Sequence, residues 1–404
     1  MSGYSAHVLV FNAGSSSLKF ELFATRPEWH SRVRGAVSGI GRPRSMVQMG
    51  QGAPERSASV ADPAAAAALV LDELLDGEHG VAAADVLGCG HRIVHGGDLF
   101  SAPARVTRTV FARLTALGEL APLHNVPALA VIDVVRNRLQ KAPMVAVFDT
   151  AFFRDLPEPA RVYAIPESWH AHGRIRRYGF HGIAHAYLSA RLKERCDRQN
   201  ERVLSLQLGQ GCSIAALRNG VPVETSMGFT PLEGLMMGTR AGDVDPGVLL
   251  HRMRQGEAWS ALEHDLNRAS GLLGISDASS DVRELAALEA EGHAGATLAL
   301  AAFCHRIHKY LGAYAAVLGG VDAIVFGGGI GENASGIRAR ICAGLEWLGL
   351  EIDAEANESC AGSEARISTA SSTIEVHVIP VREEEAIAHA TLQCLTSDEV
   401  QSCR

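Results

Sequence analysis

The sequence predicts an α/β fold in two duplicated halves, each a mixed sheet covered by helices. Three observations lead there. Two separated stretches, Val8 to Phe23 (VLVFNAGSSSLKFELF) and Val203 to Leu217 (VLSLQLGQGCSIAAL), share one arrangement: an apolar run, a turn dense in Gly and small hydroxyl residues, and a second apolar run. Short apolar runs and longer helix-forming segments recur in both halves. With 404 residues and 47% hydrophobic content, the chain also exceeds one compact unit of usual size, so two domains are expected.

In chain order, strands are expected at Val8 to Phe11 and Leu18 to Phe23. The polar, Pro- and Gly-containing stretch Gly41 to Pro63 reads as an irregular hairpin or loop. A helix is expected after Asp62, because Pro63 suits a first-turn position and Ala64 to Leu75 carries apolar residues at helical spacing among strong helix formers. Val86 to Val94 reads as a buried strand ending at His95-Gly96-Gly97, and Met144 to Phe148 as another ending at Asp149. The second half repeats the theme with paired strands across Val203 to Leu217 and a further run, Gly220 to Thr225. A Gly- and Met-rich loop, Met227 to Gly242, follows, then helices through about Val282 to Leu318. The strand Ala323 to Phe326, the turn Gly327 to Gly331 and a helix from about Ala334 come next. A last strand, Val376 to Pro380, leads into a Glu- and Ala-rich helix, with a frayed polar tail after Thr396.

The formal net charge of −8 gives no electrostatic reason to expect nucleic acid or an anionic membrane as partner. Ala296 to Leu318, the most apolar helical segment, is interrupted by His305, Arg306, His308 and Lys309, so it reads as a core helix with one wet face. The eight cysteines show no CxxC spacing and no signal peptide precedes the first strand, so a reduced, cytoplasmic setting is expected.

The paired turns suit phosphate, since Gly permits positive φ and leaves no Cβ in the way of converging backbone N–H groups. Asn12, Ser15, Ser16, Ser17 and Lys19 would add polar contacts and one positive charge. The first turn is not a P-loop, because Lys19 lies in a returning strand, and a Ser- and Gly-rich hairpin is elsewhere only a turn. Arg92, in GHRIVHGG, and Arg240, in GTRAGDVDP, lie where a guanidinium fork can meet a carboxylate or phosphoryl oxygen, or form a surface ion pair. Asp149 and Glu383 each follow a buried strand, at the sheet edge where α/β sites lie; Mg²⁺ binding and helix capping are both open to them. His181 and His185, four apart in YGFHGIAH, fit one helix face as metal ligands, but the HExxH glutamate and a third ligand for zinc are missing. A donor role suits His181, beside Arg174, Arg176 and Arg177, while His124 is a lone loop histidine. Gly327 to Asn333 (GGGIGEN) places backbone N–H groups at a sheet edge, where nucleotide or an ordinary tight turn is found.

Together these motifs resemble one family, acetate kinase, within the superfamily of sugar kinases, actin and Hsp70 ATPase domains. The matching blocks span almost the whole chain: NAGSSSLKF, GHRIVHGG, APLHN, VFDTAF, RIRRYGFHG, TSMGFTPLEGLMMGTRAGDVDP, GLLGIS with SSDVR, GGGIGEN and VIPVREEE. The resemblance implies two duplicated ribonuclease H-like domains around a central nucleotide cleft, at 1–150 and 151–384, with the C-terminal helix from about 385 to 404 packing back on the first. It implies reversible, ATP-dependent phosphorylation of a short carboxylate to an acyl phosphate, with Mg²⁺ (Mn²⁺ as alternative), in a cytoplasmic homodimer. Asp149, Arg92, Arg240, His181 and His124 match catalytic positions, with His181 and Arg240 stabilising the transition state. Asn12, Asp149 and Glu383 match the metal site. Ser15, Ser17 and Lys19 match the first phosphate loop, and Gln207, Gly209, Gln210 and Gly211 the second. Asp281, Val282, Arg283, Gly329, Ile330, Gly331 and Asn333 match the adenosine and diphosphate site. Arg92 matches a carboxylate-binding position, and Val94, Leu123, Phe180 and Pro231 an apolar pocket for the alkyl end.

This chain departs from the family pattern at Gln207 and Gln210, where His and Asn are usual, and at Phe153, Ile183-Ala184 and Val381-Arg382; Val126-Pro127-Ala128 follow the His124 block. Acetate is the default substrate and propionate its main competitor, because one methylene in an apolar pocket is worth only ~1–3 kcal/mol. An ATP-binding protein without turnover is the reading from another class. A dinucleotide-dependent oxidoreductase lacks its GxGxxG with a following acidic residue.

Overall fold

The computed structural model describes residues 6–14, 16–26, 28–195 and 202–402, without the side chains of 171–173 and 398–402. Ser15, Cys196 and Cys403 lie outside the described residues. The chain divides into two units, Met1–Ala151 with Arg382–Arg404, and Phe152–Val381.

The sheet of the first unit has eight strands: β1 (His7–Ala13), β2 (Ser17–Ala24), β3 (His30–Ser38), β4 (Ser45–Met49), β5 (Arg56–Ala58), β6 (Val86–Ile93), β7 (Ala104–Arg105) and β8 (Met144–Phe148). Their order is β5-β4-β3-β2-β1-β6-β8-β7. The second sheet has six: β9 (Arg202–Leu208), β10 (Cys212–Arg218), β11 (Val221–Thr225), β12 (Ala323–Gly327), β13 (Ala365–Arg366) and β14 (Glu375–Val378), in the order β11-β10-β9-β12-β14-β13. In both, an antiparallel meander is extended by two parallel strands and closed by an antiparallel edge. The succession β3-β2-β1-β6-β8-β7 thus corresponds strand for strand to β11-β10-β9-β12-β14-β13. The expected α/β fold, with two mixed sheets flanked by helices, is borne out.

Strands β1, β8 and β12 are buried along their whole length, as central strands covered on both faces should be. Helix Pro63–Leu75 begins as expected: the Asp62 carboxylate accepts from the Ala65 N–H at 2.8 Å and Pro63 occupies the first turn. It buries Val70, Leu71 and Leu74, each contributing about 1.5–3 kcal/mol. The C-terminal helix, Glu383–Ser402, belongs to the first unit and packs on β6. Gly88 and Gly90, alternate residues of β6, make that approach possible. A Cβ on Gly90 would lie 2.3 Å from Thr391 Oγ1 and 2.8 Å from Ile387 Cγ2, and one on Gly88 would lie 2.6 Å from Leu395 Cδ1.

Several expectations need correction. Gly41 to Pro63 does contain a hairpin, β4 against β5, but the preceding strand β3 was not anticipated: only Val33 and Val37 are buried in it, too sparse for a period-two signal. Helices Pro246–Arg254, Trp259–His264 and Gly271–Ser276 were likewise unread; at 9, 6 and 6 residues they are too short for a helical spacing of apolar residues to repeat. The glycines after β12 are helical and not a turn, while the helix expected from about Ala334 is present. Gly328–Asn333 is itself helical and Ser335–Cys342 is a second helix. The C-terminal backbone stays helical to Ser402 instead of fraying after Thr396. Among the described residues no helix is long and apolar enough to cross a membrane.

Candidate active site

In the first unit, the C-terminal ends of β1, β6 and β8 deliver Asn12, Arg92 and Asp149 to one place, because these strands lie side by side and run parallel. Arg92 grips Asp149 with Nε at 3.2 Å from both carboxylate oxygens and Nη2 at 2.7 Å from Oδ2, while Nη1 donates to Asn12 Oδ1 at 3.1 Å. Asn12 Nδ2 in turn donates to Glu383 Oε2 at 2.9 Å and Glu384 Oε1 at 3.0 Å, and Arg92 Nη1 lies 3.7 Å from Glu383. Burial disfavours the Arg92 charge, but Asp149 and Glu383 outweigh it and hold its pKa above the ordinary value. Asp149 is 1% exposed. Arg92 is therefore fully committed as a cation whose fork is fixed from two sides.

Lys19 is exposed and pairs across β1 and β2 with Asn12, which places the two side chains on the same face. Ser17 O accepts from Gly14 N at 2.8 Å, closing the first turn. Val94 is buried and Leu123 exposed. His124 sits with Leu123 on the first turn of helix Pro122–Arg138, a different element from the strand ends that carry Asn12, Arg92 and Asp149. Two residues that sequence reasoning passed over hold this region: Asn125 accepts from the His95 N–H at 3.1 Å and returns its amide to His95 O at 2.9 Å.

The second unit carries the second turn. Its glycines work by space, not by backbone sign, since Gly14, Gly209 and Gly211 are all absent from the positive-φ region. A Cβ on Gly211 would lie 3.3 Å from both Cε1 and Nε2 of His181 and 3.5 Å from Arg240 Nη1. The missing side chain lets an imidazole and a guanidinium close on one spot. His181 precedes helix Gly182–Arg195 in the left-handed region, φ 58°, so it does not share a helix face with His185. Both rings instead meet the Ser213 hydroxyl, His181 Nδ1 at 2.9 Å and His185 Nε2 at 2.8 Å. Arg177 binds Glu233 at 2.8 Å.

Arg240 Nη1 donates to Pro231 O at 3.2 Å, so the Met227 to Gly242 loop orients its own arginine. Two clamps absent from the sequence reading hold that loop. Tyr163 and Arg177 both bond Glu233, and Tyr163 Oη accepts from the Phe229 N–H at 2.7 Å. Asp243 accepts from Tyr310 Oη at 2.7 Å and from the Gly234 N–H at 2.9 Å. The buried Phe180 and half-buried Pro231 flank these elements. Burial pushes the Cys212 thiol up to about 12, so the cysteine in this turn is no nucleophile.

A cavity of about 570 Å³ opens beside the turn. Of the residues expected at nucleotide, Gly209, Gln210, Asp281, Val282, Arg283, Gly329, Ile330 and Asn333 line it. Gly211 faces His181, Gly331 backs onto Phe326 of β12, and the buried Gln207 Oε1 has no hydrogen-bond partner among the described residues. Asp281 caps helix Val282–Ala290 and binds the exposed Arg283, which draws its pKa below the usual carboxylate range. Sequence reasoning missed the apolar wall of Ala286, Leu300 and Ile337 and the 2.6 Å ion pair of Arg340 with Glu289. It also missed Arg338, fully buried, which donates to Gly331 O at 2.9 Å, Glu332 O at 3.0 Å, and Asn357 and Cys360 carbonyls at 2.7 and 2.8 Å. That side chain staples the GGGIGEN helix in place.

Comparison with known proteins identifies the family. Residues 7–389 match the model of the acetokinase family. The chain is 43% identical over 393 residues to an acetate kinase of Helicobacter hepaticus, covering 95% of this chain and 98% of that protein. It is 44% identical to an acetate kinase of a Synechococcus species, covering 97% and 100%. Among solved structures, Porphyromonas gingivalis acetate kinase superposes with a TM-score of 0.89 at 39% identity, over 97% of this chain and 100% of that one. A propionate kinase from Francisella tularensis gives a TM-score of 0.89 at 35% identity, over 96% and 99%. A family match spanning nearly the whole chain, together with full-length relatives, establishes that the chain belongs to the acetokinase family.

Proposed function

We propose that the protein transfers the γ-phosphoryl group of ATP in line to acetate, reversibly forming acetyl phosphate. The observation that carries this reading is the cradle at Gly211, where the position a Cβ would fill is flanked by His181 and Arg240. Phosphoryl transfer asks a protein mainly to position donors around the equatorial oxygens and to exclude water, and two such donors converge there. The same turn carries Gln210 into the cavity, which suits ATP as the donor.

Under this reading Arg92 and Arg240 hold the carboxylate and the phosphoryl group, His181 donates to the equatorial oxygens, and His124 assists. Val94, Leu123, Phe180 and Pro231 take the methyl end. Lys19, Ser15 and Ser17, with Gln207, Gly209, Gln210 and Gly211, contact phosphates. Asp281, Val282, Arg283, Gly329, Ile330, Gly331 and Asn333 take the rest of the nucleotide. Asn12, Asp149 and Glu383 hold Mg²⁺, or Mn²⁺ in its place. The donor chemistry fits a hard divalent cation: Asp149 and Glu383 offer carboxylate oxygens on two sides of Arg92, and with no cluster of three acidic, His or Cys side chains among the described residues, phosphate and water oxygens would complete the coordination. When bound, the cation would draw charge from the phosphate oxygens.

A homodimer accounts for Val248, Leu250, Met253 and Trp259, which are all at least 50% exposed along 248–259. The six described cysteines are free thiols, which fits a reducing cytoplasm. Propionate is the second substrate reading, favoured by the likeness to the Francisella propionate kinase. Phosphorus NMR of mixtures with ATP, Mg²⁺ and each of formate, acetate, propionate and butyrate tests the proposal. Acetyl phosphate as the main product supports it, propionyl phosphate moves the second reading forward, and ATP binding with no acyl phosphate from any acid rejects both.

A further inference from the structure

Four side chains behind the Gly211 cradle form a continuous hydrogen-bonded chain. Ser205 Oγ lies 2.8 Å from His185 Nδ1, His185 Nε2 lies 2.8 Å from Ser213 Oγ, and Ser213 Oγ lies 2.9 Å from His181 Nδ1. Ser205, Ser213 and His185 are all fully buried. The chain crosses β9 and β10, whose register puts Ser205 opposite Ala215 and Ser213 opposite Gln207, and both serines reach the same two-histidine segment.

Each member of such a chain limits the next. Burial lowers the His185 pKa to about 3, so its ring is neutral at physiological pH and has one N–H and one bare nitrogen. Among the described residues the Ser205 hydroxyl has His185 Nδ1 as its one hydrogen-bond partner. If His185 carried its proton on Nδ1, that N–H would point at Ser205 Oγ and the buried Ser205 hydrogen would have no acceptor. Buried polar hydrogens are rarely left so. The satisfied arrangement runs one way: Ser205 O–H donates to His185 Nδ1, His185 Nε2–H donates to Ser213 Oγ, and Ser213 O–H donates to His181 Nδ1. His181, when neutral, then carries its proton on Nε2, the atom 3.3 Å from the position a Gly211 Cβ would take.

We propose that Ser205, His185 and Ser213 are positioning residues that fix the tautomer and ring orientation of His181, so that Nε2–H is presented at the cradle. This rests on the role proposed for His181 in phosphoryl transfer and assigns how that donor is set. The left-handed backbone at His181 fits the same purpose, since a non-Gly residue is held at φ 58° only where its surroundings demand it.

Two measurements test the proposal. The first is long-range ¹⁵N–¹H NMR of histidine-labelled wild-type protein, with His181 and His185 assigned from His181→Asn and Ser213→Ala. Both rings are expected as single Nε2–H tautomers, and an Nδ1–H form at either ring overturns the relay without any variant having to fold. The second is Ser205→Ala, which touches His185 but bears no contact to the cradle. It is expected to let His185 sample both tautomers, to bring Nδ1–H signal into His181, and to lower kcat about threefold to tenfold with KM for ATP within twofold of wild type. Ser213→Ala is expected to lower kcat more than tenfold, with Ser213→Thr, which keeps the hydroxyl, recovering most of it. A Ser205→Ala protein with unchanged His181 signals contradicts transmission along the chain. The tautomer result stands apart from activity: a wild type that forms no acyl phosphate yet shows both Nε2–H rings supports the relay while rejecting the kinase reading.

Discussion

Gly90→Ala couples the packing of the C-terminal helix to the chemistry of the first unit. The new Cβ would start 2.3 Å from Thr391 Oγ1 and 2.8 Å from Ile387 Cγ2. Thr391 cannot swing away without losing its bond to Ile387 O at 2.7 Å, so the helix itself has to retreat. Reaching the 3.4 Å of ordinary contact requires 3.4 minus 2.3, about 1.1 Å. Overpacking of this kind costs about 1–3 kcal/mol, and at about 2–4 °C per kcal/mol for a unit of this size the midpoint of unfolding should fall by about 2–12 °C. The same helix starts with Glu383 and Glu384, whose bonds to Asn12 at 2.9 and 3.0 Å would not survive a shift of that size. Activity should fall by up to about a hundredfold, the usual penalty for a misplacement near 1 Å, and the Mg²⁺ needed for half-maximal rate should rise. Thermal unfolding and acyl phosphate formation against Mg²⁺ concentration read both effects. Gly312→Ala is the control, because nothing lies within 4 Å of its Cβ position in helix Ala294–Leu318, and a gain of about 0.5–1 kcal/mol is expected there. If Gly90→Ala unfolded like wild type with the same Mg²⁺ dependence, the link from β6 through the helix to Glu383 would be refuted.

Arg338→Met should destabilise the second unit by about 3–5 kcal/mol, since four carbonyls lose a buried charged donor, and ATP affinity by fluorescence titration should fall with it. Asn12→Ala should leave Arg92 on Asp149 but release Glu383 and Glu384, raising the Mg²⁺ needed for half-maximal rate while changing stability to urea little. Stability should also fall in mild acid. Burial lowers His91 and His185 to about 3 and His95 to about 4, whereas the unfolded chain titrates near 6.5 and so binds more protons below that pH. Their contribution is fully present above pH 6.5 and is lost as pH falls toward those values, by up to about 1.4 kcal/mol per histidine per pH unit. Urea midpoints at pH 7.5 and 5.5 check the sign; equal midpoints would contradict it.

What the sequence made legible follows from which physical signals are local. Both Gly-rich hairpins, the Asp62-Pro63 helix start and the strand exits at Arg92 and Asp149 are written in short windows, and each appears where its residues predict. Of the two properties of glycine invoked for the phosphate loops, the absent Cβ is the one Gly211 uses, making room for His181 and Arg240, and positive φ is not needed. That distinction depends on neighbours thirty residues away in the chain. The same holds for Arg338, whose acceptors lie at residues 331–332 and 357–360, and for Asn125, whose partner His95 lies 30 residues earlier in the chain. His181 and His185 looked like a helical pair; the shared partner Ser213 lies on another strand and had no counterpart in a spacing rule. Short helices such as the 9-residue Pro246–Arg254 end before a helical spacing of apolar residues can repeat.

On the proposed function, acyl phosphate formation needs the Arg240 guanidinium of the second unit and the Asp149 carboxylate that orients Arg92 in the first. Trapping the product of ATP, Mg²⁺ and acetate with hydroxylamine, for wild type, Arg240→Ala and Asp149→Ala in parallel, tests it most directly. Acetyl hydroxamate is expected from wild type, with a loss of at least a hundredfold, about 2.7 kcal/mol, in each variant while both stay folded. Product formation that persists near the wild-type rate in either folded variant would contradict it.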